Sequence, residues 1–299
     1  MSSHQTISSV LITGATGNLG QKLIAHLLAS EWCRHVIGVD RILDPSAMTE
    51  RKERVQWVEA DLADPGDIRW RQALQDVDAV VHLAAKNPYP DAPWEDACTS
   101  FDMTLHLIEA AAAAGTKRFV FASSNHVMGQ YKDPPLADGL MPGRLSTDLP
   151  PGPGTRWFNG KEIVQGSAYA TSKLMGERVC MAKANLSGGR FTTVSVRIGW
   201  CQPGSNRPDT INTSGLPGEE PGTGPDAERD LRWFRSMWLS NRDFQRVMER
   251  ALLADASRWP APGIVVNGMS ANQGMPWDVE TTRQLIGYEP QDDIWEHVE

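Results

Sequence analysis

Ser9-Val10-Leu11-Ile12-Thr13-Gly14-Ala15-Thr16-Gly17-Asn18-Leu19-Gly20 is the stretch on which the reading of this chain turns. Its first five residues are a short apolar run, bounded by glycine, of the kind that forms a buried strand. Gln21 to Ser30 then carries Leu23, Ile24, Leu27 and Leu28 at the spacing of one helix face. Strand, glycine-rich turn and helix in that order is the context in which a glycine pattern reads as a dinucleotide site. The glycines let the backbone turn tightly and approach a pyrophosphate, which sits on the positive end of the helix. The next strand, His35 to Val39, ends at Asp40, twenty residues beyond Gly20. A carboxylate there accepts hydrogen bonds from the adenosine ribose and repels a 2′-phosphate. NAD is therefore expected over NADP, with Arg41 next door leaving room for dual use. The expected cofactor contacts in this stretch are Gly14, Thr16, Gly17, Asn18, Leu19, Gly20, Asp40 and Arg41.

Strands and helices keep alternating beyond it. Arg54 to Glu59, Asp78 to Leu83 and Lys117 to Ala122 read as strands, and Pro65 to Gln75 and Trp94 to Ala114 as helices. This order predicts an α/β fold, a Rossmann-type doubly wound parallel sheet, with ligand at the carboxyl ends of its strands. Asp61 and Leu62 then fall where an adenine is read, and Leu83, Ala84 and Ala85 where a cofactor needs room. Small residues there serve packing equally well. Residues 1–199 are assigned to the NAD-binding domain and 200–299 to a small substrate-binding lobe. Two stretches rich in Pro and Gly, 133–160 and 202–226, lack helical or strand periodicity and are read as lids over the cofactor edge. Trp157, Trp200, Trp233, Trp238 and Trp277 lie between and after them; at most one or two are expected to touch ligand.

Tyr169 and Lys173 stand four apart in Ser167-Ala168-Tyr169-Ala170-Thr171-Ser172-Lys173, on one face of a helix. A free phenol titrates near ~10 and is a poor base at neutral pH. A nearby ammonium favours the phenolate, as a bound nicotinamide cation also would. The pair is therefore expected to have a lowered tyrosine pKa and to act as an acid–base unit.

Charge and composition narrow the partners. A formal charge of −8 argues against nucleic acid or an anionic membrane as the main partner. No window reaches the apolar length of a membrane span, and Met1 to Ser8 lack the marks of a secretion signal. Cys33, Cys98, Cys180 and Cys201 show no paired spacing, which points to buried thiols in a reducing cytosol. The seven histidines lack ligand spacing, so no metal is expected.

Gly14-x-x-Gly17-x-x-Gly20, Asp40, Ser124 and Tyr169-x-x-x-Lys173 together resemble an extended short-chain dehydrogenase/reductase of the NAD-dependent epimerase/dehydratase group. Within it the chain is most similar to the bacterial uronate dehydrogenases. Phe121 to His126, Val196 to Gly199 with Cys201, Trp238 to Phe244, Ser270 to Asn272, Trp277-Asp278 and Leu285 to Pro290 carry that likeness. The resemblance implies oxidation of the C1 hydroxyl of a cyclic sugar to a lactone, with hydride passed to NAD. It implies Tyr169 as general base, Lys173 as its electrostatic partner and Ser124 as the residue orienting the reacting oxygen. Asn125 and His126 would grip neighbouring hydroxyls, and a homodimer would form through the helices around Trp94–Ala114 and Tyr169–Ala184.

Three departures bear on the substrate. His82-Leu83-Ala84-Ala85-Lys86-Asn87 replaces the family's His-Leu-Gly-Gly segment and its following serine, so Asn87 takes the substrate-facing place. Trp200 stands where the family has serine, and Trp233 where it has the arginine that clamps the substrate carboxylate. Either Arg207, Arg232 or Arg235 supplies the missing fork of donors, or the substrate is not a uronate. A nucleotide-sugar epimerase or dehydratase of the same group, and a non-catalytic NAD-sensing protein, remain as alternatives.

Overall fold

In β1 (Ser9–Thr13) Val10, Leu11 and Ile12 are all fully buried, because both faces of the strand are covered. Successive side chains point to opposite faces, so Val10 and Ile12 enter one core and Leu11 the other. The same alternation recurs in β4 (Ala79–His82), β5 (Arg118–Ser124) and β8 (Thr192–Ile198). Val81, Val120, Val194 and Val196 face the first core, and Val80, Phe119 and Phe121 the second. Near-continuous apolar runs are what a parallel sheet covered on both sides requires. The computed structural model describes residues 7–43, 54–159, 161–212 and 226–298.

With β2 (His35–Asp40), β3 (Val55–Glu59) and β9 (Gly263–Gly268), these strands form a seven-stranded sheet in the order β3-β2-β1-β4-β5-β8-β9. Every pairing in it is parallel. The first core is closed by α1 (Asn18–Ala29) and α6 (Asn241–Leu253), and the second by α2 (Ile68–Gln72), α3 (Trp94–Ala113) and α4 (Ser167–Leu186). The strand order reverses between β1 and β4, and a crevice opens there at the carboxyl ends.

The sheet crosses the boundary drawn at residue 199. β9 pairs with β8 and α6 packs beneath them, so part of the C-terminal segment completes the Rossmann sheet. The rest of it, with α5 (Ala227–Ser236), builds a third core over the carboxyl edge around Trp233, Phe234, Trp238 and Trp277. The first Pro/Gly-rich stretch is anchored in that core. Leu145 is fully buried and bridges to Trp277, Thr155 is fully buried, and β6 (Arg156–Phe158) with β7 (Ile163–Gln165) makes an antiparallel hairpin. Of the second stretch, residues 213–225 lie outside the described residues. Cys33 and Cys180 are buried as expected, but Cys98 is exposed, on the solvent side of α3 next to the buried Ala97.

Behind the crevice, Arg197 of β8 donates to both carboxylate oxygens of Glu177 on α4, at 2.8 and 2.9 Å. The Ser123 hydroxyl donates to the same carboxylate at 2.6 Å. Both charged groups are buried, so removing one partner strands the other away from water. Glu177→Ala is expected to cost about 3–5 kcal/mol of unfolding free energy, read by urea denaturation. A loss below about 1 kcal/mol, the scale of an exposed ion pair, would show that the pair does not anchor α4.

Candidate active site

The crevice is a cavity of about 510 Å³, within the range of small-molecule and cofactor sites. Gly14, Gly17, Asn18, Leu19 and Gly20 line its floor. Gly14 adopts a left-handed φ of 69°, and a Cβ on it would sit 2.9 Å from the Ala84 backbone nitrogen. A Cβ on Gly20 would stand 2.6 Å from the Ala15 carbonyl oxygen. Both contacts are with backbone, so only glycine gives this tight turn into α1. Asp40 lines the cavity from the end of β2. One of its carboxylate oxygens accepts from the Thr16 backbone N–H at 2.9 Å and from the Thr16 hydroxyl at 2.8 Å. The other accepts from the Arg41 N–H at 2.8 Å. Thr16 thus stands behind the wall and holds the carboxylate that faces it. Arg41, Asp61, Leu62, Leu83, Ala84 and Ala85 also line the cavity. A glycine cradle at a helix start, a carboxylate held by backbone donors and small residues between them fit an adenine dinucleotide.

At the other end, α4 docks on β5 with a definite register. A Cβ on Gly176 would lie 2.7 Å from an edge atom of Phe121, so ring and helix backbone touch only because that side chain is absent. Lys173 Nζ donates to the Ala122 carbonyl at 2.8 Å, and Glu177 accepts from Ser123. One turn before Lys173, Tyr169 lies beside the next strand residue, Ser124, whose hydroxyl favours the phenolate. Ser124, Tyr169 and Lys173 all line the cavity. Burial pushes the Lys173 ammonium down to about 8. Burial also pushes the Tyr169 phenol up, with the Ser124 hydrogen bond pulling the other way. In place of the lysine-driven lowering expected from the sequence, desolvation raises the phenol, opposed by Ser124. Lys173 is spent on the Ala122 carbonyl, with Nζ 5.7 Å from the Tyr169 ring centre.

Asn125 and His126 follow Ser124 into a short 3-10 segment (Asn125–Lys132) and also line the cavity. Asn125 donates to the Ile198 carbonyl at 3.1 Å, while its buried Oδ1 has no partner among the described residues. His126 Nδ1 is bonded to the Thr155 hydroxyl at 2.6 Å, and burial lowers its pKa to about 4, so the ring is neutral. His82 serves a different end. It is bonded to Thr13 at 2.7 Å and Thr104 at 3.0 Å, tying β1, β4 and α3 together beneath the site.

Four expected substrate contacts are not in the cavity wall. Asn87 turns away, donating to Asp96 at 3.4 Å and accepting from the Tyr89 N–H at 3.1 Å; its neighbour Lys86 faces the cavity instead. Arg207 pairs with Asp209 on the surface, Arg232 is exposed, and the Arg235 guanidinium lies 5.8 Å over the Trp295 ring. Trp233, at the arginine position, is buried and meets Trp277 at 4.5 Å with the rings tilted. Trp157 and Trp200 are the two of the five tryptophans that line the cavity, joined by Phe234 and Met237, which the sequence reading passed over. The available signal was the apolar face of Trp233 and Phe234 on the otherwise charged α5, continued by Met237 at its end. Among the described residues no cluster of three or more His, Cys, Asp or Glu could hold a metal, and no helix is long and apolar enough to cross a membrane.

Comparison with known proteins agrees with this geometry. L-arabinose 1-dehydrogenase (NAD(P)(+)) of Haloferax volcanii is 32% identical over 295 residues, 96% of this chain and 97% of that protein. Uronate dehydrogenase of Pseudomonas syringae pv. tomato is 30% identical over 298 residues, 97% and 86% of the two chains. A solved mutated uronate dehydrogenase superposes with a TM-score of 0.67 at 28% identity, covering 97% of this chain and 84% of that one. The profile of the NAD dependent epimerase/dehydratase family matches residues 10–199, which include the glycine turn, Asp40, Ser124, Tyr169 and Lys173. The chain belongs to the NAD dependent epimerase/dehydratase family.

Proposed function

We propose that this protein is an NAD-dependent sugar dehydrogenase that oxidises the C1 hydroxyl of a cyclic aldose or uronate to the lactone. The observation that carries the reading is one cavity with a dinucleotide cradle at one end and Ser124, Tyr169 and Lys173 at the other. Relatives named L-arabinose 1-dehydrogenase and uronate dehydrogenase, similar over nearly the whole chain, support the substrate class. NAD supplies the hydride acceptor when bound. The Gly14–Gly20 turn would hold its pyrophosphate and Asp40 its adenosine ribose.

The protein's own groups account for the proton. Tyr169 takes it from the C1 hydroxyl, which Ser124 orients by a hydrogen bond. Lys173 is fixed on the Ala122 carbonyl one turn away, where its positive charge favours the phenolate. Asn125 Oδ1, buried and without a partner among the described residues, offers an acceptor to a second sugar hydroxyl. Neutral His126 makes no hydrogen bond through Nε2 within the described residues and offers a further contact. The reading includes a cytoplasmic setting and a homodimer through α3 and α4, whose faces expose Trp94 and Met175.

Oxidation needs the proton to leave the Tyr169–Lys173 unit, so activity should rise with pH. Lys173 has the lower value, about 8, and phenolate–ammonium and phenol–amine are two forms of the same singly deprotonated pair. The expected kcat/KM profile for sugar oxidation climbs through an apparent pKa near 8. His126 and His82, lowered to about 4 and about 3, add no limb above pH 5. A profile that falls between pH 7 and 9 would contradict the assignment. Tyr169→Phe is expected to lower kcat by at least about 100-fold while NAD affinity, read by fluorescence titration, changes by less than about threefold. Asp40→Ser should weaken NAD by about 10-fold or more, the worth of hydrogen bonds to a charged group, and shrink the preference over NADP. Unchanged NAD binding would remove Asp40 from the cofactor site.

A further inference from the structure

The end of the cavity nearest Tyr169 is walled by neighbouring rings. The His126 ring meets Tyr169 edge-on at 6.0 Å and Trp157 at 6.4 Å. Phe234 meets Trp157 at 6.1 Å and Trp200 at 5.7 Å, both in T-shaped contact. All five rings line the cavity, so the wall starts at the reacting phenol and continues without a break to Trp200. Among the described residues three cationic side chains line the cavity, and none belongs to this wall. Lys173 is bonded to Ala122, Arg41 adjoins Asp40 at the other end, and Lys86 is on the exposed loop after β4. Carboxylate recognition calls for a fork of cationic donors, and aromatic faces call for the C–H face of an uncharged sugar.

Resting on the dehydrogenase reading above, we infer that the physiological substrate is a neutral aldose, and that the wall Trp157–Phe234–Trp200 selects against a carboxylate at the end of the sugar remote from C1. A uronate would have to bring its carboxylate out of water against rings that cannot solvate it. A neutral sugar would lay its C–H face there, with its hydroxyls turned to Asn125, His126 and Ser124. Phe234 is the middle of the wall and is itself nearly fully buried, whereas Trp200 is half-buried at its outer end and tolerates change better.

The test is a set of kcat/KM values, measured by NADH formation with the full-length protein, for neutral aldopentoses and aldohexoses against the matching hexuronates. The best neutral aldose is expected to exceed its uronate by at least about tenfold, the cost of leaving a charged group poorly paired. Equal or better turnover of the uronate overturns the inference and leaves the dehydrogenase reading standing. NADH formation from no sugar of either kind overturns both. Trp200→Leu is expected to raise KM for the neutral aldose by about fivefold or more with kcat changed less than about threefold; an unchanged KM counts against the wall. Lys86→Met should shift the neutral-to-uronate ratio by less than about twofold. A tenfold fall in uronate use in that variant would place the carboxylate on Lys86 and overturn the inference.

Discussion

The docking of one helix turn on one strand governs the site. Gly176, Lys173 and Glu177 of α4 engage Phe121, Ala122 and Ser123 of β5, three successive residues. Moving the helix along the strand would drive a side chain into the Phe121 ring or pull Glu177 off both Ser123 and Arg197. With that turn locked, the preceding turn has one place to go, and Tyr169 meets Ser124. Ser124 and Tyr169 are therefore positioned by a buried ion pair, a glycine and a lysine bonded to backbone, all of which stand behind them. A pocket whose precision comes from packed structure rather than from loops loses little in ordering its own groups when substrate arrives.

The same burial sets the electrostatics. Desolvation lowers Lys173 to about 8 and raises Tyr169, which sets the two groups apart in proton affinity, so that the lysine gives up its proton first. Desolvation also keeps His126 neutral, so the sugar end of the cavity carries hydrogen-bonding groups without added positive charge. That absence of charge, next to a run of aromatic rings, connects the chemistry at C1 to the choice of sugar.

Much of this was legible in the chain because it is local. The strand, glycine turn and helix from Ser9 to Ser30, the acid at Asp40 and the four-residue step from Tyr169 to Lys173 each depend on neighbours within one or two elements. What failed depends on elements distant in sequence. The arginine expected near Trp238 could not be placed because its site lies in a tertiary cluster that joins α5 to Leu145, Trp157 and Trp277. Trp233 fills that cluster, and Arg232 and Arg235 are left outside it. Asn87 and Lys86 differ by a single position in a loop, where no period says which side chain turns inward. The first Pro/Gly-rich stretch looked structureless because its order comes from burial of single residues such as Leu145 and Thr155, not from a repeating pattern.

The account stands on hydride leaving C1 of a sugar as Tyr169 takes the hydroxyl proton. Turnover of an aldose carrying deuterium at C1, with the reduced cofactor and the sugar product analysed by mass spectrometry, tests this most directly. The account requires the deuterium to appear in NADH and to be absent from the lactone. Product in which the C1 deuterium is retained, or NADH formed without it, would contradict the account.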